Sequence, residues 1–169
     1  MDRAEKIGNV KKGEIVIFSD ELGWHIDQLK IGLNLSGIKT RILNLTSIDI
    51  FIDCAKDNFV TRNFNMSPSC CLVRGIAGGS LEQVTRRLAI LHQLEFLGIP
   101  IVNSGRGIEN SVDKCMTSFL LRMQDISTPD CWVLEDKVAS VKLINRLLDE
   151  GRNLVIKPIF GSQGLNVML

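Results

Sequence analysis

Between residues 14 and 104, short β-branched runs alternate with segments of helical period, and this alternation constrains the fold of the 169-residue chain more than any other feature. EIVIFSD (14–20) is apolar and ends in polar residues, as expected of a buried parallel strand whose carboxyl end opens into a site. From Trp24 to Ser36 apolar residues recur at helical spacing (Ile26, Leu29, Leu33), and Gly37 closes the helix. KTRILNLT reads as a second strand and CCLVRG (70–75) as a later one. A glycine-rich turn then enters a long amphipathic helix, SLEQVTRRLAILHQLEFLG, with the stripe Leu81, Val84, Leu88 and Leu91 and a stop at Gly98; PIVNS is the next strand. Strands alternating with helices of this length imply right-handed βαβ crossovers and a mostly parallel sheet. Residues 1–111 are therefore expected to form one doubly wound α/β unit, with IDIFID and FNMSP inside it open between short strands and turns.

From Ser111 the rhythm changes. Val112, Cys115, Met116, Phe119, Leu120 and Met123 mark one helix, DCWVL a short strand, and Val138, Val141, Ile144 and Leu148 another helix ended by Gly151. NLVIKPI, FGSQG and LNVML then read as strand, turn and return strand. Residues 112–169 are expected to be a separate α+β unit.

Composition excludes several functions. A formal net charge of +1 leaves no whole-protein field to draw nucleic acid or an anionic membrane. No apolar run approaches the roughly 20 residues of a membrane span, and the charged start lacks a signal-peptide core, so a cytoplasmic protein is expected. The five cysteines (Cys54, Cys70, Cys71, Cys115, Cys131) are odd in number and contain no Cys-x-x-Cys pair, which argues against a disulfide framework and a thiolate zinc site. They are expected to be reduced and mostly buried, and no metal ligands are expected in this chain.

A few residues could carry chemistry. Lys157 sits within a β-branched run, where an ammonium is costly to bury unless it reaches an anion. In the loop Gly161, Ser162, Gln163 and Gly164, two glycines bracket short polar side chains, so its backbone amides can face a phosphate. On spacing alone, a plain hairpin with a lysine snorkelling to solvent is the commoner outcome. Lys114 lies in the first turn of a helix, where acids are the electrostatic norm, so its charge is available to a ligand; taken alone it is more often a solvated surface lysine. Arg74 ends the CCLVRG strand, where open α/β sheets bind ligands, and can hold a substrate carboxylate or simply cap the strand at the surface. Trp24 and His25 occupy a similar position after the first strand and could line an acceptor pocket. His25 has no second histidine, cysteine or carboxylate placed to make a metal or nucleophile pair, which favours a structural role, and His92 is expected simply to pack. Neither Gly75-Ile-Ala-Gly-Gly nor Gly105-Arg-Gly107 has dinucleotide-fingerprint spacing, and no Walker lysine is present.

The ordered string IPIVNSGRGIENSVDKCMTSFLLRMQDISTPDCWVL, followed by LVIKPIFGSQGLNVML, resembles the ATP-grasp ligases, within them the RimK-like group that joins glutamate to a protein or a coenzyme. The likeness runs from about residue 70 to 169; before that it is one of βα character only. It implies a pre-ATP-grasp (Rossmann-like) domain over 1–111 and the first α+β subdomain of an ATP-grasp domain over 112–169. It implies that Lys114 and Lys157 contact ATP phosphates, and that Gly161 to Gly164 form a flap over them. Two ammonium groups and a run of amides would compensate triphosphate charge in a partly dehydrated cleft. The family activates a carboxylate as an acyl phosphate, which an amine then attacks to form an amide. Its second subdomain supplies the adenine-binding segment and the magnesium ligands, and none of that follows Leu169, so the chain is expected to be a truncated or split ligase. ATP, glutamate and a carboxylate acceptor are the implied partners, magnesium the implied ion of the complete enzyme, and a homo-oligomer or a separate carboxyl-terminal chain the implied assembly. Two alternatives stay open: a noncatalytic binding protein on the same scaffold, and a related ligase that uses another amino acid. Whether this chain is itself an enzyme is left open with them.

Overall fold

In the computed structural model, the described residues are 14–53, 58–62, 64, 68–160, 167 and 168. The chain divides into two compact units between Arg106 and Gly107.

The first unit is built on β1 (Glu14–Phe18), α1 (Trp24–Leu35), β2 (Lys39–Leu43), β3 (Asp49–Asp53), β4 (Asn58–Arg62), β5 (Cys70–Val73), α2 (Leu81–Phe96) and β6 (Ile101–Val102). Its main sheet is wholly parallel in the order β2-β1-β5-β6. The chain lays β2 on one side of β1 and later returns to place β5 on the other, so the strand order reverses at β1. Val16, Ile17 and Phe18 of β1 are fully buried, which is why this strand is continuously apolar instead of alternating. The stretch left open between strands and turns holds an antiparallel pair: β3 runs against β4 with Asp49 opposite Arg62. Of FNMSP, residues 65–67 lie outside the described residues; Phe64 is buried, its ring 6.0 Å from that of Phe18.

Helix α2 starts on a capping box in which Ser80 Oγ accepts from Gln83 N–H and the Gln83 side chain accepts from Ser80 N–H. Its buried residues are Arg87, Ile90, Leu91 and Leu94, so the expected stripe is rotated: Leu91 is central, but Leu81 is 79% exposed. Arg87 causes the difference, because hydrogen bonds to loop carbonyls bring it inside where apolar counting gave no reason to bury it. Gly98 leaves the helix at φ +85°, the left-handed conformation expected of its stop.

The second unit departs further from expectation. The helix expected from Val112 forms as α4 (Lys114–Met123), but Val112 itself ends a separate preceding helix, α3 (Gly105–Val112), because Asp113 breaks the run and caps α4. The apolar stripe of α4 is not covered: no α4 residue is buried, and Phe119 is 57% exposed. In α5 (Lys137–Asp149) only Leu147 is buried, while Val138, Val141 and Leu148 are exposed. DCWVL has no ladder among the described residues; it is held instead by Arg152, which pairs with Asp130 Oδ2 at 2.9 Å and lies over the Trp132 ring at 5.8 Å. Among the described residues, NLVIKPI makes one antiparallel bridge, Ile156 to Met168, with two 2.9 Å hydrogen bonds. Strand propensity alone does not hold an extended segment in a sheet without a neighbour to bond.

The cysteines also differ from expectation. Cys71 is buried and Cys70 partly so, but Cys115 and Cys131 are exposed, and all four are free thiols. Among the described residues, no helix is long and apolar enough to cross a membrane.

Leu91 is fully buried, so Leu91→Ala is expected to cost about 2–5 kcal/mol in chemical denaturation. A loss below 1 kcal/mol would contradict its place in the core. Burial, reinforced by the neighbouring Cys70, pushes the Cys71 thiol up to about 12 from 9.0. The folded state therefore holds a proton that the unfolded chain releases, and this part of the stability is present below pH 9 and lost as pH rises towards 12. Thermal unfolding should show a shallower alkaline decline in Cys71→Val than in the parent, and identical slopes would refute the assignment.

Candidate functional site

The carboxyl ends of β1 and β5 face one crevice, of about 110 Å³, lined by residues 19–26 and by Arg74 and Gly75. It lies where the strand order reverses, the position at which open α/β sheets leave room for ligands because the connections depart in opposite directions. Its walls follow from backbone bonding. Phe18 C=O accepts from Arg74 N–H at 2.8 Å and from Gly75 N–H at 3.3 Å, tying the start of the β5–α2 loop to the end of β1. Ser19 N–H donates to Leu43 C=O at 3.0 Å, and its Oγ donates to Glu21 C=O at 2.7 Å, which shapes the turn into α1. Helix α1 begins at Trp24 without a side-chain cap, so first-turn amides at the crevice lack side-chain acceptors.

The structure thus brings Arg74, Trp24 and His25 together, although Arg74 lies some fifty positions along the chain from the other two. Trp24 is 69% exposed, and its ring meets the His25 ring edge-on at 5.1 Å. Sequence reasoning missed Asp20 and Glu21, which line the same crevice. The signal was present in the polar ending of EIVIFSD and its continuation into Glu21, but only the fold shows that these carboxylates share a crevice with Arg74. Gly75 lies close beside Asp20: a Cβ there would meet the exposed Asp20 carboxylate, which would have to turn aside. His92 packs within the first unit, with Nδ1 3.4 Å from Glu95 Oε2 and its ring against Gly105.

In the second unit Asp113 explains how a lysine comes to begin a helix. Asp113 Oδ1 accepts from Met116 N–H at 2.9 Å, so an acid occupies the N-cap and complements the helix dipole while Lys114 takes the next position. Lys114 reaches the segment that carries Lys157: its backbone N–H and its Nζ both donate to Ile159 C=O, at 3.3 and 3.2 Å. Two lysines 43 positions apart are thereby on neighbouring pieces of chain within one unit. Gly161, Ser162, Gln163 and Gly164 lie outside the described residues. Among the described residues, no three His, Cys, Asp or Glu side chains are grouped to hold a metal.

Comparison with known proteins agrees with this architecture. The chain is 32% identical over 152 residues to the tetrahydromethanopterin:alpha-L-glutamate ligase of Methanococcus maripaludis, which covers 88% of this chain and 48% of the relative. It is 26% identical over 135 residues to the alpha-aminoadipate–LysW ligase LysX of Saccharolobus solfataricus, covering 80% of this chain and 42% of that protein. Over most of its length the chain is thus similar to alpha-L-glutamate and LysX-type ligases, and it shares the fold of ATP-grasp ligases. The fold is shared with the RimK domain ATP-grasp protein of Sphaerobacter thermophilus at a TM-score of 0.67 and 17% identity, over 92% of this chain and 52% of that one. The chain spans about half the length of the curated relatives it matches. No family model matches it.

Asp113→Ala removes the α4 cap and is expected to cost about 1 kcal/mol in denaturant titration. It should also loosen Lys114, seen as broadening of the Lys114 and Ile159 backbone resonances. An unchanged midpoint with unchanged resonances would show that the cap does not organise this region.

Proposed function

We propose that the chain supplies the pre-ATP-grasp domain (1–111) and the first ATP-grasp subdomain (112–169) of an ATP-dependent carboxylate–amine ligase, with glutamate as the amine donor. The reading rests above all on Lys114, whose Nζ is held on the carbonyl of Ile159, two residues from Lys157. Two cations on adjacent segments suit a polyanion, since each offsets phosphate charge that would otherwise have to be desolvated alone. Lys114 and Lys157 are assigned to ATP phosphates, and Gly161 to Gly164, by the family resemblance, to the flap over them. Arg74 is assigned to a substrate carboxylate, with Trp24 and His25 as walls of its pocket.

In such a ligase the acceptor carboxylate attacks the γ-phosphorus and ADP departs, leaving an acyl phosphate. The neutral amine of glutamate then attacks the carbonyl carbon, inorganic phosphate leaves, and the nitrogen loses a proton to give the amide. The chain's own share is to position these charges, which is most of what phosphoryl transfer requires of a protein. Magnesium is implied for the complete ligase, but the described residues do not provide a cluster to hold it, and no step here is routed through it. The expected compartment is the cytoplasm. Similarity to LysX supports a second reading in which another amino acid replaces glutamate as the amine donor.

Titrating the chain with ATP should raise its Tm, because a ligand that binds only the folded state stabilises it by about 2.7 kcal/mol at a hundredfold excess over Kd. Lys114→Ala and Lys157→Ala should each remove most of the rise without lowering the Tm of the free protein. Equal shifts in parent and variants would reject the nucleotide role. Radiolabelled glutamate and aminoadipate, offered to a ligase completed with the remaining half, would decide the amino acid.

A further inference from the structure

Arg87 is buried, with 7% of its surface exposed, in the middle of α2. No carboxylate among the described residues pairs with it, and its Nε has no hydrogen-bond partner among them. Taking a guanidinium out of water without a counter-charge is costly, and an apolar side chain of similar length would serve the packing better. What Arg87 does hold is backbone: Nη1 donates to Ala77 C=O at 2.5 Å and to Gly78 C=O at 3.1 Å. Both carbonyls lie in the loop that leaves β5 at Arg74 and enters α2 at Ser80.

That loop is anchored at two places. Its first residues, Arg74 and Gly75, donate to Phe18 C=O at the end of β1; beyond them its middle is gripped by Arg87 and its end closed by the capping box at Ser80. Because these peptide bonds are trans, turning the Ala77 and Gly78 carbonyls towards Arg87 turns the N–H groups of Gly78 and Gly79 the other way. The orientation of two successive peptide planes therefore depends on one buried cation. We infer that Arg87 is a positioning residue of the ligase: it fixes the 74–80 loop so that Arg74 stands over the crevice ready for a substrate carboxylate. This rests on the crevice reading given under the proposed function. Arg87 touches no substrate and acts only through the loop.

The test uses the ¹⁵N-labelled chain with L-glutamate as the probe carboxylate, following the amide resonances of Arg74 and Gly75, together with Arg87→Met and Arg87→Lys. Methionine preserves the packing and removes the carbonyl grip, so Arg87→Met should keep the parent Tm or exceed it. The resonances of residues 74–79 should nevertheless shift or broaden, and the glutamate Kd should rise by about tenfold or more, the scale of one lost charged hydrogen bond. Arg87→Lys, which can still reach one carbonyl, should recover part of the affinity. Unchanged loop resonances or unchanged affinity in Arg87→Met would overturn the inference. If that variant does not fold, unchanged affinity in Arg87→Lys would overturn it equally. A parent chain whose Arg74 and Gly75 amides do not respond to glutamate would overturn it too, and an ATP-induced Tm rise in the same sample would show that the ligase reading stands apart from that failure.

Discussion

The architecture of the first unit depends on the burial of β1 between two parallel neighbours. Three successive side chains, Val16, Ile17 and Phe18, are removed from water. Each would contribute about 1.5–3 kcal/mol relative to exposure, so the strand has little freedom to slip or turn over. Once β1 is fixed, β2 and β5 must flank it, and its last carbonyl becomes the anchor for the loop that follows β5. The crevice is a consequence: two connections diverge from adjacent strand ends, and polar residues that cannot enter the sheet collect between them.

The second unit depends on different physics. Its helices are ordered by caps and hydrogen bonds more than by a core. Asp113 and Asp136 cap α4 and α5, Arg152 fastens the 130–132 segment, and one bridge joins Ile156 to Met168. Much of its apolar surface, including Phe119, Met123, Val138 and Phe160, is exposed. Exposed ion pairs and caps contribute about a kilocalorie per mole or less each, so local geometry here is held by many weak contacts.

A good deal of the fold was legible from periodicity because the physical cause is local. Residues that alternate between β-branched runs and 3.6-residue stripes can bury their apolar surface only as strands and helices. The doubly wound first unit and the helices at Trp24, Leu81 and Lys137 follow from that. What failed were elements whose state depends on a neighbour. DCWVL and NLVIKPI have strand-like composition but lack a full ladder among the described residues, and the stripe of α2 turned because a polar side chain, Arg87, went inside. The ligand-binding candidates divide in the same way. Arg74, Trp24 and His25 could be nominated from their positions after strands, and Lys114 and Lys157 from charge set in unusual places and from the family resemblance.

The sequence by itself determined the alternation of strand and helix, the parallel sheet, and the resemblance to the ATP-grasp ligases, since each is encoded in the order and spacing of residue types along the chain. Only the tertiary structure decided that Asp20 and Glu21 share a crevice with Arg74, that Lys114 is held on the carbonyl beside Lys157, and that Arg87 is buried on the 74–80 loop. Those are relations between positions far apart in the chain. They arise because the tertiary fold brings distant stretches of chain together, and because burial leaves Arg87 only loop carbonyls to bond; no local pattern records which groups will meet.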